Sequence, residues 1–129
     1  MNFPKELRYT RDHEWARVSG SIITVGVTDH AQSALGDVVF VDLPKEPRTL
    51  KPGETFGVVE SIKAVSDLYA PVGGKIVEIN HALADEPSLV NSDPYGNAWM
   101  LKIEVTDAEG ALSDLMSAEA YSEFVANLG

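Results

Sequence analysis

A mainly β fold, built as a sandwich or a barrel, is predicted by seven short segments in which apolar and polar residues alternate with period two. Gly- and Pro-containing turns punctuate those segments at close intervals, the spacing of small antiparallel architectures. At 129 residues the chain is long enough to bury a core and reads as a single domain, residues 1–129. Its apolar share of 44% places it outside the disordered class.

The first strands are expected near Glu14–Val18 and Ser21–Val25, turned by Ser19-Gly20. Thr28 or Asp29 is suited to cap a short helix through Leu35, and Gly36 to end it. Val38–Leu43 reads as a strand that stops at Leu43-Pro44, and Lys51-Pro52-Gly53 introduces Thr55–Ser61. Val65–Tyr69 follows, then Lys75–Asn80 after the Pro71-Val72-Gly73-Gly74 turn, and Ala98–Val105 after Ser92-Asp93-Pro94-Tyr95-Gly96. From Asp107 to Leu128 the spacing turns helical. Leu112, Leu115 and Met116, then Tyr121, Phe124, Val125 and Leu128, form one apolar stripe broken near Ser117, which reads as core packing. The strand pairs on either side of residue 71 resemble each other too faintly to establish a repeat.

Composition narrows the function. A formal charge of −10 argues against nucleic acid and against acidic membrane surfaces, both of which are bound through Lys and Arg. Solubility, or docking onto basic grooves of other proteins, is what an acidic surface supports. With no cysteine there is no disulfide, thiolate metal site or cysteine nucleophile. No apolar run approaches a membrane span. The amino terminus MNFPKELRYT has neither a secretory apolar region nor the Arg- and Ser-rich character of a transit peptide, so the chain is expected to stay where it is made.

A catalyst is hard to assemble from these residues. His13, His30 and His81 lack the spacing of any ligand pair, so no metal site is expected. The segment DHEWARV begins like a zincin motif without its second histidine. No GxSxG, GxGxxG or GxxxxGK[ST] occurs, and Ser61 and Ser66 read as polar strand residues. Pairing any two of the 20 carboxylates would be arbitrary without geometry. No catalytic residue is nominated, and a carrier or binding module is the expectation.

The segment VVESIKAVSDLYAP, residues 58–71, breaks a local rule. Folded about Lys63 it is expected to pair Ile62 with Val65, Val59 with Leu68 and Val58 with Tyr69. Tight hairpin turns favour Asn-Gly or Asp-Gly, because their central residues need positive φ, yet Ile-Lys-Ala holds the tip. Local rules broken at one place are expected where function resides. A lysine on a stiff hairpin offers a long stem ending in a primary amine, and acylation of that amine would make a longer, uncharged arm. Glu60 and Asp67 flank it.

These residues carry a resemblance. GETFGVVESIKAVSDLYAPVGGKIVEIN, residues 53–80, resembles a lipoyl-attachment hairpin, with its E-S-[IV]-K-A core and following A-P-x-x-G. Further stretches, HEW (13–15), VGVTDHAQSALGDVVFVDLP (25–44), LVNSDPYG (89–96) and WMLKI (99–103), are similar in order and spacing to the H-protein family of the glycine cleavage system. Biotinyl domains set the lysine between two methionines, whereas Ile62 and Ala64 stand here. Lipoyl domains of 2-oxoacid dehydrogenases usually have aspartate before the lysine and lack the HEW and TDHAQ segments.

The resemblance implies a barrel-sandwich hybrid of two antiparallel sheets with the lysine hairpin exposed, and lipoate attached as N6-lipoyllysine at Lys63. It implies a carrier that takes the aminomethyl group of glycine from a pyridoxal-phosphate glycine decarboxylase (P protein) to a tetrahydrofolate-dependent aminomethyltransferase (T protein). Reoxidation by a dihydrolipoamide dehydrogenase (L protein) follows, and a lipoyl-attaching enzyme loads the arm. It also implies a cleft that shelters the loaded arm from water, with Glu14 and Asp67 facing its ammonium and His30 and Leu35 as lining. A shuttle that leaves each partner is expected to be a monomer, in a bacterial cytoplasm or, for a trimmed eukaryotic protein, the mitochondrial matrix. Two other roles fit the same residues: a relay that hands lipoyl groups to 2-oxoacid dehydrogenases, and an unmodified acidic interaction module.

Overall fold

The computed structural model describes residues 1–128. The chain enters through β1 (Arg8–Tyr9), β2 (Glu14–Ser19) and β3 (Ile22–Val27), then helix α1 (Asp29–Leu35). Strands β4 (Val38–Asp42), β5 (Thr49–Leu50), β6 (Thr55–Ser61), β7 (Val65–Tyr69) and β8 (Gly74–Ile79) follow. Single-turn helices α2 (Ala82–Asp85) and α3 (Leu89–Ser92) precede β9 (Leu101–Glu104), and α4 (Ala108–Leu112) and α5 (Ala118–Ala126) come last.

The strands form two antiparallel sheets, one ordered β1-β2-β3-β9-β8-β5 and the other β4-β6-β7. Period-two alternation explains why they stack. Ile23, Val25, Ile76 and Ile103 of the larger sheet share one buried core with Val38, Val41, Val59 and Leu68 of the smaller. Each such side chain contributes roughly 1.5–3 kcal/mol by leaving water. Two packed antiparallel sheets with short helices are the expected barrel-sandwich arrangement.

Trp15 anchors β2 through the gap left by a glycine. It pairs across the ladder with Gly26, and a β-carbon there would stand 2.7 Å from the indole. The ring is fully buried and its Nε1–H donates to the Pro94 carbonyl at 3.0 Å. A second cluster seals this end of the molecule, where Leu7, Tyr9 and Trp15 pack with Ala118 and Tyr121 of α5. The carboxyl-terminal stripe therefore divides. Leu112 and Leu115 pack on the main core, while Met116, Tyr121, Phe124 and Val125 join the second cluster. Ser117 marks the break as the cap of α5, its hydroxyl accepting from the Ala120 amide at 3.2 Å.

Several boundaries depart from the sequence reading. Strands β1 and β5, of two residues each, and the single-turn α2 and α3 are too short to leave a period. Strand β9 starts at Leu101 rather than Ala98, because the amides of Ala98 and Trp99 are used by the preceding turn, on the carbonyls of Asp93 and Gly96. Strand β8 ends at Ile79, and the buried Asn80 instead ties the chain to the carbonyls of Asn97 and Trp99, at 2.9 and 2.7 Å. No described helix is long and apolar enough to cross a membrane.

Candidate functional site

Lys63 stands exposed at the tip of the β6–β7 hairpin. The ladder pairs Glu60 with Val65, Val59 with Ser66 and Val58 with Asp67, so the expected register is corrected by two positions. An even slip leaves every side chain on its own face. Val59 and Leu68 therefore remain in the core, but Ile62 and Val65 are 76% and 66% exposed instead of packing on one another. The slip also moves the two-residue turn from Lys63 and Ala64 to Ile62 and Lys63, between Ser61 and Ala64.

Neither turn residue has positive φ. His13 is the one non-glycine residue, among those described, that does. A serine supplies what turn glycines normally would. The Ser61 hydroxyl accepts from the Ala64 amide at 3.0 Å and from the Lys63 amide at 3.3 Å, and donates to the Ala64 carbonyl at 3.3 Å. The Ser61 amide closes the turn on the same carbonyl at 2.8 Å, and the Ile62 amide bonds the Asp37 carbonyl at 3.2 Å. Ser61 is a polar strand residue, as expected, and its hydroxyl also fixes the turn, which its place in the sequence does not reveal.

The lysine stem leans over Gly36, the residue that ends α1. Gly36 has φ 77°, and a β-carbon there would lie 3.4 Å from Lys63 Cε. The conformation calls for glycine, while a β-carbon there would meet the lysine stem at ordinary van der Waals distance.

Beside the tip lies a cleft of about 270 Å³. Helix α1 lines it with Ala31, Ala34 and Leu35, at helical spacing on one face, and β7 lines it with Ser66 and Asp67. The β1–β2 turn adds Asp12 and His13, and the first residue of β2 adds Glu14. Three carboxyl groups therefore line the cleft, and no Lys or Arg does.

Glu14 is 1% exposed and links the two sheets. Its carboxyl group accepts from the Thr10 hydroxyl at 2.8 Å and from the Tyr69 amide on β7 at 3.2 Å. Burial pushes its pKa from the ordinary 4.5 up to about 8; nearby Asp12 adds to the rise and the two hydrogen bonds oppose it. Burial thus favours the neutral acid of Glu14, and a cation beside it would favour ionisation.

Three of the four cleft residues expected from sequence, Glu14, Leu35 and Asp67, come together here. His30 does not line the cleft. One position before Ala31 puts it on another face of α1, where its ring sits 4.5 Å from that of His13 and its buried Nδ1 has no hydrogen-bond partner among the described residues. His13 takes its place on the lining. The HEW segment signalled this residue as part of a motif, but nothing in the sequence shows its left-handed backbone, which brings its ring to the wall. Among the described residues no cluster of His, Asp and Glu is arranged to hold a metal.

With this geometry in place, comparison with known proteins is specific. Residues 7–128 match the family described as Glycine cleavage H-protein. The glycine cleavage system H protein of Bacteroides thetaiotaomicron is 54% identical over 125 residues, covering 97% of this chain and 98% of that one. Its counterpart in Staphylococcus saprophyticus is 52% identical over the same shares. A crystal structure of a glycine cleavage system H protein from Mycobacterium marinum superposes with a TM-score of 0.84 at 41% identity, covering 98% of this chain and 99% of that one. A match of this extent, on a fold that presents its lysine beside an acidic cleft, places the chain in the glycine cleavage H-protein family.

Proposed function

We propose that Lys63 carries lipoate through an amide at Nζ, and that the chain works as the mobile carrier of the glycine cleavage system rather than as an enzyme. The observation that carries this reading is the adjacency of an exposed lysine, on a tip built without turn glycines, to a cleft lined by three carboxyl groups. When bound, lipoate supplies a disulfide that takes up the aminomethyl group of glycine and is restored by reoxidation.

The chain's own residues position and shelter that arm. Gly36 leaves room for the lysine stem to lie along the end of α1. Ala31, Ala34 and Leu35 present an apolar wall that excludes water from whatever lies in the cleft. Glu14 and Asp67, both on the cleft lining, would face a cation seated there. Because burial favours the neutral acid of Glu14, a cation seated beside it would favour its ionisation and the release of a proton.

The partners follow from the chemistry: the pyridoxal-phosphate decarboxylase, the tetrahydrofolate-dependent aminomethyltransferase, the flavin-dependent dihydrolipoamide dehydrogenase and a lipoyl-attaching enzyme. The bacterial relatives support a bacterial cytoplasm as the setting.

Intact mass of protein from lipoate-supplied cells, beside Lys63→Arg, tests the attachment. One lipoyl increment is expected in the parent chain and none in the variant. An unmodified parent, from cells whose ligase modifies a control lipoyl domain, would overturn the proposal. Ammonia release from the loaded protein tests the cleft, where Glu14→Ala and Asp67→Ala are expected to shorten the arm's lifetime.

A further inference from the structure

We infer that Tyr121, on the carboxyl-terminal helix, is the positioning residue of the cleft, its hydroxyl joining the His13 ring and the start of α1 into one fixed wall. The oxygen lies 2.8 Å from His13 Nδ1 and 2.8 Å from Thr28 Oγ1. Helix α5 contributes no lining residue of its own. Tyr121 acts through the two groups it bonds, one on the cleft and one at the cap of the helix that forms the apolar wall.

The direction of the hydrogen bonds follows from satisfaction. Tyr121 and Thr28 are both fully buried. Thr28 Oγ1 already accepts from the Ala31 amide at 3.1 Å, and its own proton has one acceptor among the described residues, the Tyr121 oxygen. Thr28 therefore donates to Tyr121, and Tyr121 donates to His13 Nδ1. His13 is left neutral, with its proton on Nε2. Burial, with His30 alongside, lowers the pKa of His13, in the same direction.

Backbone strain points to the same place. His13 has φ 69°, a conformation that persists in a non-glycine residue only where its surroundings over-determine it. Three ties do so: its amide to the Thr10 carbonyl at 3.2 Å, its carbonyl to the Thr28 amide at 3.0 Å, and its ring to Tyr121. Tyr121 is itself fixed, stacked on Tyr9 at 4.6 Å with 7° between the planes and met edge-on by Phe3 at 4.9 Å. The phenol hydroxyl thus sits at a defined point, and the cleft wall is set from it.

This inference rests on the cleft as the seat of the loaded arm, so the test separates the two. Tyr121→Phe keeps the ring stack and removes only the hydroxyl. In unloaded, ¹⁵N-labelled protein, the His13 Nδ1 resonance is expected to be that of a hydrogen-bonded, unprotonated acceptor, and to move to the unbonded position in the variant. A protonated Nδ1 in the parent chain, or no movement in the variant, would overturn the inference without touching the cleft's function. In the loaded protein, Tyr121→Phe is expected to speed ammonia release roughly five-fold, the population shift that follows loss of one net hydrogen bond. Val125→Ala, which loosens the same apolar cluster but spares the hydroxyl and the rings that fix it, should leave that rate unchanged. Equal acceleration in both variants would reduce Tyr121 to general packing and overturn its positioning role. A parent chain that protects the loaded arm no better than free lipoamide would overturn the cleft reading, and with it this inference.

Discussion

The two sides of the cleft are built on opposite principles. On one side the β6–β7 tip leaves Lys63, Ile62 and Val65 in solvent and fixes its backbone with the hydroxyl of Ser61. On the other, Glu14 is buried on the lining with Trp15 and Tyr121 buried behind it, and Glu14, Thr28 and Tyr121 are each held by hydrogen bonds. A group that must reach several partners needs a free side chain on a stiff backbone. A group that must wait out of water needs a wall already desolvated, whose polar atoms do not have to rearrange. The buried side should therefore carry the larger energies, and the exposed side the smaller ones.

Trp15→Ala should show the largest effect. Removing a fully buried indole, packed over Gly26 and bonded to the Pro94 carbonyl, should cost about 3–5 kcal/mol in denaturant unfolding. A loss below about 1 kcal/mol would remove the contrast between the two sides.

Glu14→Gln sharpens the contrast through pH. The folded-state pKa of about 8 lies above the ordinary 4.5, so the folded chain binds more protons than the unfolded chain between these values. Stability due to this group is fully present below about pH 4.5 and is lost as pH rises through 8. Glu14→Gln removes that slope. It should match the parent chain near pH 4 and exceed it at pH 9 by on the order of 5 kcal/mol. Parallel pH–stability curves would show that Glu14 is ionised at low cost.

How much of each side was legible in the sequence follows the same division. Strands β6 and β7 were placed at their observed bounds, because alternation records which residues face a core. Their register was not. Ile62 and Val65 were read as a packed pair, and apolar character alone cannot separate core from an exposed tip. Family motifs nominate Glu14, Leu35 and Asp67, but that they line one cleft depends on β2, α1 and β7 meeting in space. His30 was misplaced by one helical position, about 100° of rotation, which a motif does not resolve. The chain from Thr28 through Tyr121 to His13 spans 108 residues and leaves no local signal.

Gly36→Ala tests the seam between the two sides. Holding alanine at φ 77° and ψ −157° should cost about 1–3 kcal/mol in thermal unfolding, and its methyl would touch the lysine stem at 3.4 Å. Lipoylation of Lys63 should still occur, because the amine remains in solvent, while the seated arm should be less protected from ammonia loss. Unchanged protection at the expected stability loss would mean that the stem does not run over Gly36 once the arm is loaded.

The smallest effect belongs to the tip itself. Ser61→Ala removes the hydroxyl that accepts from the Lys63 and Ala64 amides, but leaves the backbone bond from the Ser61 amide to the Ala64 carbonyl. The remaining strand ladder is untouched, so global stability should fall by only about 1 kcal/mol. Amide hydrogen exchange locates the change more sharply than unfolding does. Exchange at Lys63 and Ala64 should accelerate severalfold, while the buried amide of Val59 should keep its protection apart from the small global shift. If the two tip amides exchanged as slowly as before, the turn would be held by the Ile62 amide on the Asp37 carbonyl, and its rigidity would belong to the end of α1. If Val59 lost protection with them, tip and ladder would open as one unit, and the stiff base beneath Lys63 would depend on a single serine.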